Sequence, residues 1–120
     1  MKIAVTARGQ GLESTVDPRF GRCGWFILAD TDTGENCAVS NDQNSSSVQG
    51  AGIQAAEIAC RLGVCAVITG HCGPKAFRVL KAAGIKVFYC TEGTVGETLS
   101  KFKKGLLEEA KEADVKGHWA

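Results

Sequence analysis

The sequence predicts one α/β domain built on a five-stranded mixed sheet. Apolar and β-branched runs at 2–6, 25–30, 36–40, 66–69 and 86–89 read as strands, because each is short and bounded by turn-forming residues. Helical patterns at 50–62 and 74–83 are each closed by a glycine, Gly63 and Gly84, where a left-handed cap belongs. The order decides the class: three strands come first, and then helix and strand alternate.

Taken in turn, 2–6 is the first strand, and a long loop occupies 7–24. The strands 25–30 and 36–40 are joined through Thr31-Asp32-Thr33-Gly34-Glu35, a length suited to a hairpin. The polar stretch Asn41-Asp42-Gln43-Asn44-Ser45-Ser46-Ser47 is a loop, too rich in turn formers to be an element. In the helix 50–62 polar residues stand only at Gln54, Glu57 and Arg61, so it packs deep. Pro74 opens the next helix at a position whose N–H would have no intrahelical partner anyway. Thr94-Val95-Gly96-Glu97 is a capping box, and it starts a helix with Val95, Leu99 and Phe102 on its apolar stripe and Lys101, Lys103 and Lys104 in its last turn. A short final helix is expected over 106–113, so the chain divides into a domain at 1–105 and a C-terminal helix and tail at 106–120.

Chain direction then fixes which ends meet. If the first strand points up and the second pairs with it antiparallel, the loop 7–24 lies at the top and the hairpin returns there. Right-handed crossovers bring the ends of 66–69 and 86–89 to the same rim, with the helix amino termini. That rim collects Arg8, Arg19, Arg22, Cys23, Ser45, Ser46, Ser47, His71, Cys72, Lys75 and Cys90. An open α/β sheet places its ligands at such an edge.

Composition excludes more than it assigns. At 120 residues and 12.6 kDa the chain can bury a core without staples. A net charge of +1 gives no drive toward nucleic acid, and none is expected as a partner. There is no leader-like segment and no apolar stretch long enough to span a bilayer, so the expected location is cytoplasmic, away from membranes. The six cysteines form no CxxC, which speaks against a zinc ribbon, and in that compartment they are read as reduced. Cys60 and Cys65 are expected in the core, and Cys37 on the hairpin carries no role.

Gly70-His71-Cys72-Gly73-Pro74 is the sharpest local signal. A thiol at a helix amino terminus has a stabilised thiolate, suited to metal ligation or nucleophilic attack. The plain alternative is a cysteine filling a tight turn beside a surface histidine. His71-Cys72, followed after five residues by Arg78, also has the spacing of a phosphatase cradle. Such a cradle turns successive backbone N–H groups onto an anion, but Pro74 has none, and Lys75-Ala76-Phe77 is already helical. Val79 follows Arg78 where a hydroxyl would be wanted. A thiol enzyme of phosphatase or reductase type acting through Cys72 is thus the minor reading, and a non-catalytic interaction or regulatory domain is another.

Asp17-Pro18-Arg19-Phe20-Gly21-Arg22-Cys23 places two arginines around Phe-Gly in a loop over the rim, a donor-rich clamp for an anion, with Cys23 as a second thiol. The alternative is a turn with solvated arginines anchored by Phe20. Gly50-Ala51-Gly52 is not a nucleotide fingerprint, since it lacks G-x-G-x-x-G and follows no strand directly. Trp25 is read as packing, and His118 and Trp119 fall in the terminal tail.

Together, Asp17-Pro18-Arg19-Phe20-Gly21-Arg22-Cys23-x-x-Phe26, Gly50-Ala51-Gly52-Ile53-Gln54-Ala55-Ala56-Glu57, Gly70-His71-Cys72-Gly73-Pro74-Lys75-Ala76-Phe77 and Leu80-x-x-Ala83-Gly84-Ile85-Lys86-Val87 resemble the dinitrogenase iron–molybdenum cofactor biosynthesis family. That family includes NifX, the C-terminal domain of NifB and small stand-alone members of the orange-protein type. The resemblance covers roughly residues 1–105. It implies a ribonuclease-H-like three-layer sandwich, with the second strand antiparallel and helices on both faces. It also implies binding or carrying of an anionic metal–sulfur cluster, Fe–Mo–S or Mo–Cu–S, without catalytic turnover, and exchange with a delivery or acceptor protein. The cluster-associated loops fall on Arg19, Arg22, Cys23, His71, Cys72 and Lys75, with Cys72, His71 and Cys23 as the metal-ligating candidates.

Overall fold

The computed structural model describes residues 1–43 and 50–114, so Ser45, Ser46, Ser47, His118 and Trp119 lie outside the described residues. The strands are β1 (Lys2–Ala7), β2 (Trp25–Asp30), β3 (Asn36–Ser40), β4 (Ala66–Thr69) and β5 (Lys86–Tyr89), and the helices are α1 (Ala51–Leu62), α2 (Pro74–Ala82) and α3 (Val95–Lys103). They form one sheet in the order β3-β2-β1-β4-β5. β2 runs antiparallel to both β1 and β3, while β1, β4 and β5 are mutually parallel.

The two-residue alternation of the strands builds two cores. Ala4, Phe26, Val67 and Val87 join α1 and α2 on one face. Ile3, Val5, Ile27 and Ile68 join Val95 and Leu99 of α3 on the other. The central strands β1 and β4 are therefore covered on both sides, as their near-continuous apolar runs require. α1 and α2 approach closely because Gly52 faces Ala76; an added Cβ there would stand 3.2 Å from the Ala76 methyl.

The predicted capping box is present: the Thr94 hydroxyl accepts from the Glu97 N–H at 3.2 Å, and the Glu97 carboxylate accepts from the Thr94 N–H at 2.9 Å. α3 ends at Gly105, whose φ of 71° only glycine adopts without strain, and the Leu106 N–H closes the motif on the Lys101 carbonyl at 2.9 Å.

Beyond Gly105 the expected helix over 106–113 is absent. The segment instead runs extended beside β5: Glu109 bridges Phe88 in antiparallel sense, and the Ala110 N–H donates to the Val87 carbonyl at 2.7 Å. A helix this short is marginal in water, whereas the open edge of β5 offers partners for its backbone. The segment packs on the domain it was expected to follow, and Ala110 is buried in the α1–α2 core.

Cys60 and Cys65 are exposed, contrary to the core expectation. α1 buries Ala55, Ala56, Ile58 and Ala59, so Cys60 falls on the outer stripe with Glu57 and Arg61. Cys65 precedes β4 and sits at the opposite end of the sheet from the rim, its thiol 3.4 Å from the Lys2 carbonyl. Among the described residues no helix is long and apolar enough to cross a membrane.

Candidate anion-binding site

β1 and β4 are parallel neighbours whose chains leave in opposite directions, β1 toward β2 and β4 toward α2 and β5. That divergence marks the switch point, the end of an α/β sheet at which ligands are held. Two loops meet there, 8–24 and 70–73.

The first loop is tied down along its length. Its early half is stitched to the start of α3, where the Val95 N–H meets the Ser14 carbonyl at 2.8 Å and the Gly96 N–H meets the Leu12 carbonyl at 2.9 Å. Its later half turns on Asp17. The Asp17 N–H donates to the Thr6 carbonyl at 2.9 Å, the Thr6 hydroxyl donates to the Asp17 carbonyl at 2.7 Å, and the same hydroxyl shares a 2.9 Å bond with Thr69. These buried hydroxyls knit the ends of β1 and β4 to the loop. The Asp17 carboxylate then accepts from the Arg19 N–H at 3.0 Å and lies 3.8 Å from its guanidinium Nε. Phe20 is fully buried and packs edge-on against Phe26.

The two loops are locked to each other. Arg19 and His71 form a parallel bridge, with the Phe20 N–H on the His71 carbonyl at 3.2 Å. Gly70 permits the approach: a Cβ there would sit 2.6 Å from the Pro18 Cα and 2.9 Å from its carbonyl oxygen. From the other side, the Asn41 side-chain amide donates to the carbonyls of Gly21 and Cys23 at 3.2 and 2.9 Å, and Gln43 donates to Gly21 and Ala51 at 2.9 and 3.1 Å. These two amides hold the arginine loop against α1, and sequence reasoning had passed them over as part of a polar loop.

The structure thus unites Arg19 with His71 and Cys72 on one rim, with Arg22 in the same loop as Arg19 and Lys75 in the first turn of α2. Arg8, Arg22 and Lys75 are exposed, and the Arg19 side chain is 48% exposed. Cys90 is not part of this constellation. It lies in the α3-side core with its thiol 3.6 Å from the Thr98 hydroxyl. Arg78 is exposed along α2, while the thiol it would have to serve is buried.

The expectation of ready thiolates is corrected. Cys72 is 0% exposed and Cys23 is 4% exposed, both in the α1–α2 core. Burial first, and the Asp114 carboxylate second, push the Cys72 thiol up to about 12. Burial, reinforced by Asp17, raises the Cys23 thiol strongly as well. The helix amino terminus does not compensate for the loss of water. Nor do three groups among His, Cys, Asp and Glu converge to hold a metal ion, among the described residues.

Asp114 is the residue that sequence reasoning missed. One of its carboxylate oxygens accepts from the Cys72 N–H at 2.9 Å, and the other contacts the His71 Nδ1 at 2.8 Å. α2 has no side-chain cap of its own, since Gly73 is its N-cap.

Two measurements follow from this burial. Under native conditions a disulfide thiol reagent will modify Cys37, Cys60 and Cys65 rapidly, and Cys23, Cys72 and Cys90 only on unfolding, as mass mapping will show. Prompt labelling of Cys72 would contradict the closed turn. The second concerns pH. A free cysteine ionises near 9.0, while Cys72 holds its proton to about 12, so folding favours the neutral thiol. This contribution to stability is complete below the unfolded value and is lost as pH rises through it toward the folded one. Between about pH 8 and about pH 10.5 the melting temperature of the native protein will fall further than that of Cys72→Ala.

With the geometry in place, comparison with known proteins is direct. The sequence profile described as dinitrogenase iron-molybdenum cofactor matches residues 1–105. The chain belongs to the dinitrogenase iron–molybdenum cofactor family. Among solved structures, the apo form of the orange protein from Desulfovibrio gigas is 41% identical, with a TM-score of 0.89 over 95% of this chain and 96% of that one. A putative NifB protein from Thermotoga is 34% identical, with a TM-score of 0.82 over 97% of this chain and 98% of its own. An uncharacterised protein of Methanocaldococcus jannaschii is 32% identical over 111 residues, which is 91% of each chain. The family fold is the one derived above, a ribonuclease-H-like sandwich of a five-stranded mixed sheet between helical layers. Membership associates the chain with iron–molybdenum cofactor handling in an accessory role.

Proposed function

We propose that this protein binds an anionic metal–sulfur cluster, of Fe–Mo–S or Mo–Cu–S type, at the rim formed by 17–23 and 70–75, and carries it for a biosynthetic or acceptor protein without turnover. One observation supports this above the others: the arginine loop and the His71–Cys72 turn are bound to each other at the switch point, with cationic side chains outside and both thiols inside. A thiometallate is polyanionic and soft. Guanidinium and ammonium groups meet its charge through charge-assisted hydrogen bonds that need no proton removed from the protein. Arg19, Arg22 and Lys75 are the recognition groups in this reading, with His71 the imidazole beside them. Cys23 and Cys72 shape the floor beneath, and direct ligation by either would require the floor to open. Burial also speaks against Cys72 as the nucleophile of a thiol enzyme, since the thiolate is the reactive form.

Anaerobic titration of the apoprotein with tetrathiomolybdate and Cu(I), and separately with an iron–molybdenum–sulfur cluster, tests the proposal. The expected result is a stoichiometric visible chromophore from one of them, retained through gel filtration with folded protein. No retained chromophore from either would overturn it.

A further inference from the structure

The segment 106–114 brings a carboxylate onto the same turn that the proposed cluster site uses. We infer that Asp114 is a built-in occupant of that anion position and that 106–114 is a strap which an anionic ligand displaces; this rests on the cluster-binding reading.

Three contacts fasten Asp114 to the turn. Its carboxylate takes the Cys72 N–H at 2.9 Å and the His71 Nδ1 at 2.8 Å, and its own N–H reaches the Cys72 carbonyl at 3.3 Å. A carboxylate that accepts from a backbone N–H just ahead of a helix, and from an imidazole, sits as an external anion would. No nearer residue does this, because the N-cap is Gly73 and Pro74 follows it. The chain thus supplies from 43 residues away the negative group that the turn is built to receive.

The rest of the strap is lightly held. Its attachments to β5 are the Ala110–Val87 hydrogen bond, the Glu109–Phe88 bridge and a 3.0 Å bond from the Tyr89 hydroxyl to the Glu112 carbonyl. The Lys86–Glu109 ion pair is long, at 3.9 Å, and solvent-exposed. Ala110 is its one buried side chain among the described residues, and Leu107 and Ala113 pack only partly buried against the two cores. Segments with few buried apolar contacts open locally at small cost, without global unfolding.

Charge gives the strap a reason to leave. Glu108, Glu109, Glu112 and Asp114 stand against Lys111 alone, so the strap is acidic next to a rim that carries Arg19, Arg22 and Lys75. A polyanion arriving at the rim meets these cations and repels the Asp114 carboxylate. Its departure returns the Cys72 N–H and the His71 Nδ1 to the site. Ligand and strap therefore compete for the same donors, and each weakens the other's hold by the same factor.

The test uses the full chain with tetrathiomolybdate as probe. Affinity is measured for the native protein, Asp114→Ala, Asp114→Asn and the control Glu108→Gln, and amide exchange at Ala110 is followed in the native protein with and without probe. Competition predicts that Asp114→Ala binds about tenfold more tightly, since a charge-assisted contact no longer opposes the ligand. Asp114→Asn falls between, and Glu108→Gln changes affinity less than about twofold. Protection at Ala110 falls when probe is added to the native chain. If the native protein binds probe while Asp114→Ala binds no better and Ala110 stays protected, the strap inference fails and the cluster reading survives. If neither protein binds, both fail. Should Asp114→Ala not fold, the Ala110 exchange in the native chain decides alone.

Discussion

Replacing Gly70 with alanine will destabilise the protein by about 2–4 kcal/mol and impair ligand binding at the rim. The new methyl would stand 2.6 Å from the Pro18 Cα, 2.9 Å from the Pro18 carbonyl oxygen and 3.0 Å from its Cβ. The two nearest are backbone atoms, held by the Asp17–Thr6 and Phe20–His71 hydrogen bonds, and cannot turn aside as a flexible side chain would. The loops must part, which loosens the contact that sets Arg19 beside His71. Gly50 is the control, because a Cβ there meets nothing within 4 Å among the described residues and its φ of −70° suits any residue. Thermal denaturation should show a fall of roughly 8–15 °C for Gly70→Ala and a far smaller change for Gly50→Ala. Equal melting temperatures for Gly70→Ala and the native chain would show that the loops are not locked as described.

Replacing Arg22 with alanine will leave stability nearly unchanged and lower thiomolybdate affinity about tenfold, and Arg22→Glu will lower it about a hundredfold. Arg22 is exposed and forms no ion pair among the described residues, so its charge is available to a ligand. Arg19 is a less clean probe, because its removal also deprives the buried Asp17 of a partner. The affinity of the native protein should also weaken with added salt, as screening acts on exposed charges, and the salt dependence should be shallower in Arg22→Ala. Binding that is unchanged in Arg22→Glu would place the ligand elsewhere. Binding abolished in Cys23→Ala or Cys72→Ala, with Arg22→Ala intact, would make thiolate ligation the dominant force.

Local signals were legible where local physics decides. The apolar runs of β2, β3, β4 and β5 gave their bounds directly, and Gly63, Gly84 and the Thr94–Glu97 box marked helix ends because caps are short-range devices. The rim was legible through topology, since parallel strands with right-handed crossovers must end on one edge. Contacts between residues far apart in the chain were not. Asp114 lies 43 residues from His71, and nothing in its neighbours signals that pairing. The run Leu106-Leu107-Glu108-Glu109-Ala110-Lys111-Glu112-Ala113 favours a helix by propensity, and the open β5 edge overrode it. The glycine stop at Gly105 and an otherwise bare parallel edge strand were the available hints. The cysteines misled in both directions. A helix amino terminus suggests a thiolate at Cys72, but the thiol is buried, and Cys60 is expected in the core although it shares a stripe with Glu57 and Arg61.

The most direct test of an anionic cluster held at the switch-point rim is an amide NMR titration of the isotopically labelled apoprotein with tetrathiomolybdate, followed by Cu(I), without oxygen. Perturbations are predicted to concentrate in 17–23 and 70–75, to saturate at a fixed stoichiometry and to spare β3 and the far turn at 31–35. Saturable shifts centred on the cavity between that turn and α3, lined by Thr31, Asn36, Ser100 and Lys103, or no shifts at all from a folded protein, would contradict the account.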